Sequence, residues 1–572
     1  MRSTRAWAIA SLLGLTLAPM VVAAQVNYTP VTDQRLANPE PENWLMIRGN
    51  YEGWGYSPLD QITPGNVKKL TPVWSFSTGV TSGHEAPPIV NNGVMFVSTP
   101  YNQVLALDAK TGTLLWRYRR ELPEDFKPLH NTSRGIALFG DKVYFAALDC
   151  YLVALDAKTG KVLWERQVED YKTGYYMTLA PLVAKGKVMI GVSGGEFGIR
   201  GFVQAFNAET GAPAWKTHTV PGPGEPGHDT WTGDTWKRGG ASVWLTGTYD
   251  PGLNLTYWGT GNAAPWFGDQ RPGDNLYTSS TVAIDPDTGA LKGHFQYHWN
   301  DSWDWDEPDA PMVLDLRKDG QAIKGLVHAA RNGYLYLLER SQDRISFVSA
   351  TPYVKQNVFK SIDPKTGRPE YDLERKPATG KRADFCPSLW GGKDWPTAAY
   401  NPKTGRLFIP ANDNHCGFME GKIQPYVAGQ WWTGVDIPDI GFTVDKNAAY
   451  FGEIQAWDLD AGKQAWSHKY PTSMNWGSVL ATAGGLVFAG GTNDRYFRAF
   501  DAASGAMLWQ MRTNSGIIAP PSSFAVEGVQ YIAVVSGWGV DSAFQQGLLA
   551  NLLGWQKDVP EGGVIWVFAV SP

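Results

Sequence analysis

Cysteine, histidine and concentrated basic charge are all scarce in this chain. Only 3 of its 572 residues are cysteine and no Cys-x-x-Cys-His occurs, which excludes a covalently attached c-type haem within it. Lys and Arg number 50 against 55 Asp and Glu, with no basic cluster, so nucleic acid and anionic lipid are poor partners. Beyond the first two dozen residues no apolar run is long enough to span a bilayer. What the chain has in abundance is turn residues and large rings: 63 Gly, 38 Pro and 26 Trp. Many short strands joined by tight turns fit that composition better than helical bundles, so the predicted fold class is all-β.

The N-terminus runs from Met1-Arg2-Ser3-Thr4-Arg5 through an apolar stretch, Ala6 to Val22, to Ala23-Ala24-Gln25. Those are the basic, apolar and small-residue parts of a secretory signal, with cleavage expected after Ala24 and an uncleaved anchor as the alternative. Loss of Arg2 and Arg5 takes the net charge from −5 to −7. An exported chain sits where disulfides persist. A bridge between Cys386 and Cys416 is favoured, and Cys150, in the apolar run Val143 to Leu155, is expected to be a buried strand cysteine.

A repeat dominates the rest. Ala106-Leu107-Asp108-Ala109-Lys110-Thr111-Gly112 precedes Trp116, and Ala154-Leu155-Asp156-Ala157-Lys158-Thr159-Gly160 precedes Trp164. The same step recurs from Ala205 to Trp215, Ala456 to Trp466 and Ala499 to Trp509, with degenerate copies around Ala283, Leu335 and Ala399. Each copy reads as strand, Asp/Asn-x-x-Thr-Gly turn, strand, with the Trp packed between neighbours. Eight copies predict an eight-bladed β-propeller with tryptophan-docking repeats, a single domain over 25–572. Its ring would be closed by a late strand at 562–568, and the insertions Pro221 to Arg238 and Phe418 to Asn447 would build a cap over one end of the channel.

Inside the run His298 to Glu307, aspartate and tryptophan alternate as Trp303-Asp304-Trp305-Asp306. In extended backbone, residues two apart share a side, so Asp304 and Asp306 would converge while Trp303 and Trp305 face the other way. Read alone, the pair is either a cation site or two solvated acids.

With the repeats, these motifs resemble the pyrroloquinoline quinone (PQQ)-dependent alcohol dehydrogenases, the methanol and ethanol dehydrogenase family of exported quinoproteins. The resemblance runs from Arg48-Gly49-Asn50-Tyr51-Glu52-Gly53-Trp54-Gly55 to Val535-Ser536-Gly537-Trp538-Gly539. It implies a metal beside the quinone held by Glu196 of Ser193-Gly194-Gly195-Glu196, Asn262 of Gly259-Thr260-Gly261-Asn262, and Asp304. Oxygen donors suit hard cations such as calcium or a lanthanide. Asp306 resembles the extra acid of the lanthanide-using members, and three carboxylates balance a trivalent ion, so a lanthanide is expected and Ca²⁺ is the alternative. The resemblance further implies Trp244 flat against the quinone, and Glu85, Arg134, Thr178, Ser193, Ser242, Asp394 and Trp395 around it. Asp304 would be the catalytic base, with Arg331 beside the reactive oxygens. The expected reaction is oxidation of an alcohol in the periplasm, with a separate soluble cytochrome c as electron acceptor.

Two positions depart from the family. Pro128-Leu129, then His130, stand where most members join adjacent cysteines in a vicinal disulfide, and Asp394 stands where asparagine is usual. Two other readings compete: a PQQ-dependent sugar or polyol dehydrogenase, which needs a polar open pocket, and a non-catalytic propeller scaffold of outer-membrane assembly, which needs no converging acids. Trp303, Trp305, Trp395 and Trp476 are expected to make the pocket apolar.

Overall fold

In the hairpin turn at Asp108, the carboxylate Oδ1 accepts hydrogen bonds from the backbone N–H groups of Lys110 (3.1 Å) and Thr111 (2.8 Å) and from Thr111 Oγ1 (2.9 Å). Asp156 repeats the pattern with Lys158 and Thr159. The turn closes on a glycine with positive φ, +74° at Gly112 and +70° at Gly160, where a side chain would be strained. A second constraint acts at the same atom: a Cβ on Gly160 would sit 2.5 Å from the Trp116 ring, and one on Gly112 2.6 Å from Trp74. These tryptophans thus lie on the turn of the next repeat, and most donate the indole N–H to it, as from Trp116 to the Ala157 carbonyl (2.9 Å) and from Trp466 to that of Ala502 (3.1 Å); Trp164 packs on Gly211 with its indole N–H buried and unbonded. The expected docking of tryptophan between repeats is what the structure shows.

The computed structural model describes residues 28–318, 320–555 and 558–571; the signal expected over residues 1–24 lies outside them. The described chain is nearly all strand, a β-propeller architecture in which eight sheets contain at least four strands each. In a representative sheet (Ile89–Asn91, Val94–Thr99, Gln103–Asp108, Leu114–Arg119) the first two strands are fully buried and the third nearly so, whereas the fourth alternates with solvent. The fourth is therefore the outer one. One sheet joins the two ends of the chain: Leu70–Ser77 pairs antiparallel with Val564–Val570, next to Val529–Ser536 and Ser522–Val526. Trp509 seals that junction by donating to the Leu70 carbonyl (3.0 Å).

Two expectations are corrected. The degenerate copy at Ala399 is not a separate unit, because Ala399–Asn401 and Gly452–Asp458, which carries Ala456, belong to one sheet. Its hairpin signal, Asn401-Pro402-Lys403-Thr404-Gly405, joins the first and second strands there, and the remaining sheet is the closing one, which carries no copy of the repeat. Cys150 is buried, but it sits in the left-handed turn (φ +61°) between Lys142–Ala147 and Tyr151–Asp156 rather than in a strand. Cys386 and Cys416 are bonded as expected, closing a loop between residues 30 apart.

In such an antiparallel sheet the start of the first strand and the end of the second lie at the same end. Side chains entering a first strand and leaving a second therefore meet at one mouth of the ring, however distant in sequence. Replacement of Gly160 by Ala, which brings both the φ strain and the clash with Trp116, is expected to destabilise the fold by about 1–3 kcal/mol. A denaturation midpoint equal to that of the parent protein would contradict this account of the turn.

Candidate active site

One cavity of about 640 Å³ opens at that mouth. Arg134 and Thr178 reach it from segments that enter first strands, as do Trp244, Asp304, Asp306 and Asp394; Ser193, Glu196 and Arg331 come from segments that leave second strands. Four further expected residues, Glu85, Ser242, Asn262 and Trp395, are buried behind this surface and do not line it. They touch it through neighbours. The backbone N–H of Asn262 donates to Asp306 Oδ1, Trp395 N–H donates to Asp394 Oδ1 (2.8 Å), and Glu85 pairs with Arg134 at 2.7 Å.

The aspartate segment is not the extended strand expected from its alternation. Asp304 has φ +61° and its carbonyl accepts from Asp306 N–H (3.2 Å), so the chain turns sharply between the two acids. Aspartate tolerates that left-handed conformation better than most residues. The buried Asp301 carboxylate organises the turn, accepting from the N–H groups of Trp303 (3.3 Å) and Asp304 (3.2 Å). Both Asp304 and Asp306 still face the cavity, while Trp303 and Trp305 lie fully buried behind them, their rings stacked 5.1 Å apart. Gly261 is explained by the same crowding: a Cβ there would come within 2.5 Å of Asp306 Oδ1.

Burial and like charge dominate the electrostatics. Burial, then repulsion from Asp306, raises the Glu196 carboxyl to about 7. Asp304 is pushed well above the usual carboxylate range by burial and by Asp306 and Glu196. Asp306 is raised by burial, with Arg331 and the Asn262 N–H opposing. Burial would weaken the Arg331 guanidinium as a cation, but the carboxylates of Asp394, Asp306 and Asp304 outweigh it and hold the charge. That arginine bonds Asp394 Oδ1 at 2.5 Å and the carbonyls of Asp304 (3.2 Å) and Leu389 (3.1 Å), and lies 3.4 Å from Asp306 Oδ2. Its backbone is pinned by Glu307, which also meets His328 at 2.6 Å.

Among the described residues no three His, Cys, Asp or Glu side chains stand close enough to chelate an ion by themselves. The donor set around the acids fits a hard cation nonetheless. Asn262 Oδ1 and Asp304 Oδ1 are buried acceptors without a hydrogen-bond partner, a costly state for polar oxygen. Gly195 leaves room beside Asn262 Oδ1, since even a Cβ there would approach to 3.1 Å. The other half of the cavity fits a flat polyanion: Arg134 lies 4.6 Å over the Trp244 ring, bonds Thr178 Oγ1 at 2.5 Å, and through it reaches Ser193 Oγ (3.1 Å).

The apolar walls come from residues other than those expected. Trp303, Trp305, Trp395 and Trp476 do not line the cavity; Leu129, Leu389, Trp390, Trp431 and Phe442 do, with Phe544 and Leu548. Trp431 and Phe442 belong to the insertion Phe418 to Asn447, which leaves a second strand, Arg406–Asn412, and so overhangs the mouth. The insertion Pro221 to Arg238 contributes nothing to the lining, because it leaves the outermost strand of its sheet, Pro213–His218. Phe544 and Leu548 lie on a helix, Val540–Leu553, that the sequence reading overlooked. Its signals were a run of good helix formers ending at Gly554, whose φ of +71° makes a left-handed C-cap.

Residues 44–344 and 446–532 match the family described as "Glucose/ethanol/alcohol dehydrogenase, beta-propeller domain" of the PQQ proteins, which fixes the class. Quinoprotein alcohol dehydrogenase PedH of Pseudomonas putida is 38% identical over 97% of this chain and 96% of its own length. Quinoprotein ethanol dehydrogenase of Pseudomonas aeruginosa is 37% identical over 90% and 88%. Among solved structures, a europium-containing methanol dehydrogenase superposes with a TM-score of 0.87 at 35% identity, covering 94% of this chain and 99% of that one. The chain belongs to the quinoprotein alcohol dehydrogenase family.

Burial raises Glu85 to about 7 against the opposing Arg134 charge, and raises Asp394 to about 7 against Arg331. Acids whose folded values exceed their unfolded ones bind more protons when folded, so their contribution is full below about pH 4 and lost as pH rises to about 7. Cofactor-free protein is therefore expected to lose thermal stability between pH 5 and 7, by up to about 3 kcal/mol for each group. Glu85→Gln should flatten that slope, and an unchanged slope would contradict the burial of a titrating Glu85.

Proposed function

We propose that this protein oxidises an alcohol to the aldehyde or ketone by hydride transfer to PQQ held beside a lanthanide ion, with Ca²⁺ as the alternative, and passes the electrons to a separate cytochrome c. The observation that carries the reading is one cavity with Glu196, Asp304, Asp306 and Arg331 at one end and apolar rings at the other. We read each of the eight sheets of at least four strands as a blade, and residues 25–572 as the mature domain after export to the periplasm. The absence of Cys-x-x-Cys-His supports a separate acceptor over a haem attached to this chain. No helix among the described residues is long and apolar enough to cross a membrane.

When bound, PQQ supplies the two-electron acceptor, and the cation supplies a Lewis acid and the positive charge that keeps neighbouring carboxylates ionised. Glu196, Asp304, Asp306 and the Asn262 carboxamide would hold the cation. Arg134, with Thr178 and Ser193 behind it, would take a carboxylate of the quinone by its fork, and Glu85 would set the tilt of that arginine. Trp244 would cover one ring face, while Leu129, 38 % exposed at the cavity edge, covers the other where a vicinal disulfide is usual. Ser242 packs beneath Gly261, receiving its N–H at 2.7 Å, and so fixes the Asn262 loop.

The Asp304 carboxylate takes the hydroxyl proton as hydride leaves the carbinol carbon. Its left-handed backbone and the Arg331 bond to its carbonyl orient that carboxylate toward the cavity. Arg331, locked by Asp394 and Glu307, would supply a fixed positive charge to offset the negative charge that hydride transfer delivers to the site. A sugar substrate would meet apolar rings where it needs hydrogen-bond partners, which disfavours the sugar dehydrogenase reading. A passive scaffold has no use for three buried acids around one cavity.

Asp304→Ala is expected to lower PQQ-dependent dye reduction by a factor of about 10² or more, as loss of a general base does. Turnover equal to that of the parent protein would sink the assignment of the base.

A further inference from the structure

Behind the acids lies a cluster of titratable side chains that the proposed chemistry does not use: His298, Asp301, Glu307 and His328, none more than 4 % exposed. None of them lines the cavity. Burying such groups costs free energy, and apolar side chains of like volume would serve a core as well or better. Packing alone therefore does not account for the cluster.

Its contacts do. Glu307 reaches across to Arg331: Oε1 accepts the Arg331 backbone N–H (3.1 Å), and Oε2 is held by His328 Nε2 at 2.6 Å. The Glu307 backbone N–H donates to the Thr260 carbonyl (3.1 Å), two residues before Asn262. His298 makes a second clasp. Its Nε2 stands 2.8 Å from the carbonyl of Trp305, the residue between the two acids, so that nitrogen carries the proton and Nδ1 is left as the acceptor. Nδ1 faces the Asn332 carboxamide nitrogen at 3.5 Å, and Asn332 is fixed in turn where its Oδ1 accepts the Tyr334 N–H (3.1 Å). The segments so joined have separate origins. Asp304 and Asp306 lead into Met312–Lys318, Arg331 follows Gln321–Ala329, and Asn262 follows Leu255–Gly259 of another sheet.

We infer that Glu307 and His298 are positioning residues of the active site: together they brace the Arg331 turn against the acid turn and so fix the gap between the guanidinium and the Asp304 carboxylate. The inference rests on the alcohol dehydrogenase reading above. Arg331 acts on charge that appears only as hydride moves, so its placement bears on the transition state rather than on alcohol binding. Loosening the brace lowers kcat and leaves KM in place. Asp394 holds the far end of the arginine side chain, whereas Glu307 sets the backbone from which it springs.

The test uses full-length protein loaded with PQQ and lanthanum, assayed by dye reduction with ethanol and 1-butanol. Glu307→Met keeps the volume but accepts no N–H. It should lower kcat about 10- to 100-fold, as loss of a residue that orients a ligand does, with KM within about twofold of the parent value. Glu307→Gln retains an oxygen for the Arg331 N–H and should recover most of that loss. Combined with Arg331→Ala, Glu307→Met should cost no further rate, because a residue acting through the guanidinium has nothing left to act on. His298→Phe breaks the second clasp without touching Glu307 and carries the same prediction for kcat and KM should Glu307→Met fail to fold. Hydrogen exchange of cofactor-free protein gives a readout independent of turnover: the Arg331 amide should exchange about tenfold faster in Glu307→Met and stay protected in Glu307→Gln. Parent kcat in both Glu307→Met and His298→Phe, a loss carried by KM, no recovery in Glu307→Gln, or a further loss in the double variant overturns the brace. An inert parent protein whose Arg331 amide exchanges as stated overturns the proposed reaction and leaves the brace standing.

Discussion

The site depends on a constraint of sheet geometry: in a four-stranded antiparallel sheet, the chain enters the first strand and leaves the second at the same end. With the sheets set in a ring, that end is common to all. Asp304, which precedes Met312–Lys318, and Glu196, which follows Lys187–Gly191, therefore meet across more than a hundred residues of sequence. The tryptophans on the turn glycines Gly112, Gly160, Gly211, Gly289 and Gly505 hold neighbouring sheets in register, and the pairing of Leu70–Ser77 with Val564–Val570 makes the register cyclic. Small errors in that ring would be felt at its mouth, where ligands from different sheets must agree within tenths of an ångström.

Concentrated negative charge is the second condition. Glu196, Asp304 and Asp306 sit in one buried wall with Arg331 as the nearest counter-charge, and that guanidinium is already shared with Asp394. An asparagine in place of Asp394 would leave Arg331 freer to face the cavity; the acid found here draws it toward the wall. Like charges held out of water favour either protonation or a cation. The orphaned oxygens of Asn262 and Asp304 make the second resolution chemically apt. Against a trivalent ion three carboxylates balance; against a divalent one they leave an excess.

Much of this was legible in sequence because the repeat is written in residues with few substitutes. Asp108, Thr111, Gly112 and Trp74 each meet a stereochemical need that the turn imposes, so the motif survives as a pattern. The residues proposed to face the cofactor were named through resemblance, and the structure gathers Arg134, Thr178, Ser193, Trp244 and Asp394 around the same cavity as the acids. Alternation in Trp303 to Asp306 gave the right faces for the wrong reason, since a left-handed residue between the tryptophans does what a strand was expected to do. The Ala399 copy misled because Asn-Pro-Lys-Thr-Gly closes a hairpin anywhere in a sheet. The helix Val540–Leu553 escaped notice because its apolar residues are spread around it, serving the core on one side and the cavity on the other. Which insertion overhangs the site followed from the strand it leaves, and that was not visible before the strand order was known.

The central claim is that the acids around Asp304 form a cation site matched to a trivalent ion. It is tested most directly by calorimetric titration of cofactor-free protein with lanthanum and with calcium, in the presence of PQQ, beside the Asp306→Asn variant. The account predicts one ion bound per chain, tighter binding of lanthanum, and a preference that shrinks at least tenfold in Asp306→Asn. Calcium binding as tight as lanthanum, or an unaltered preference in the variant, would contradict it.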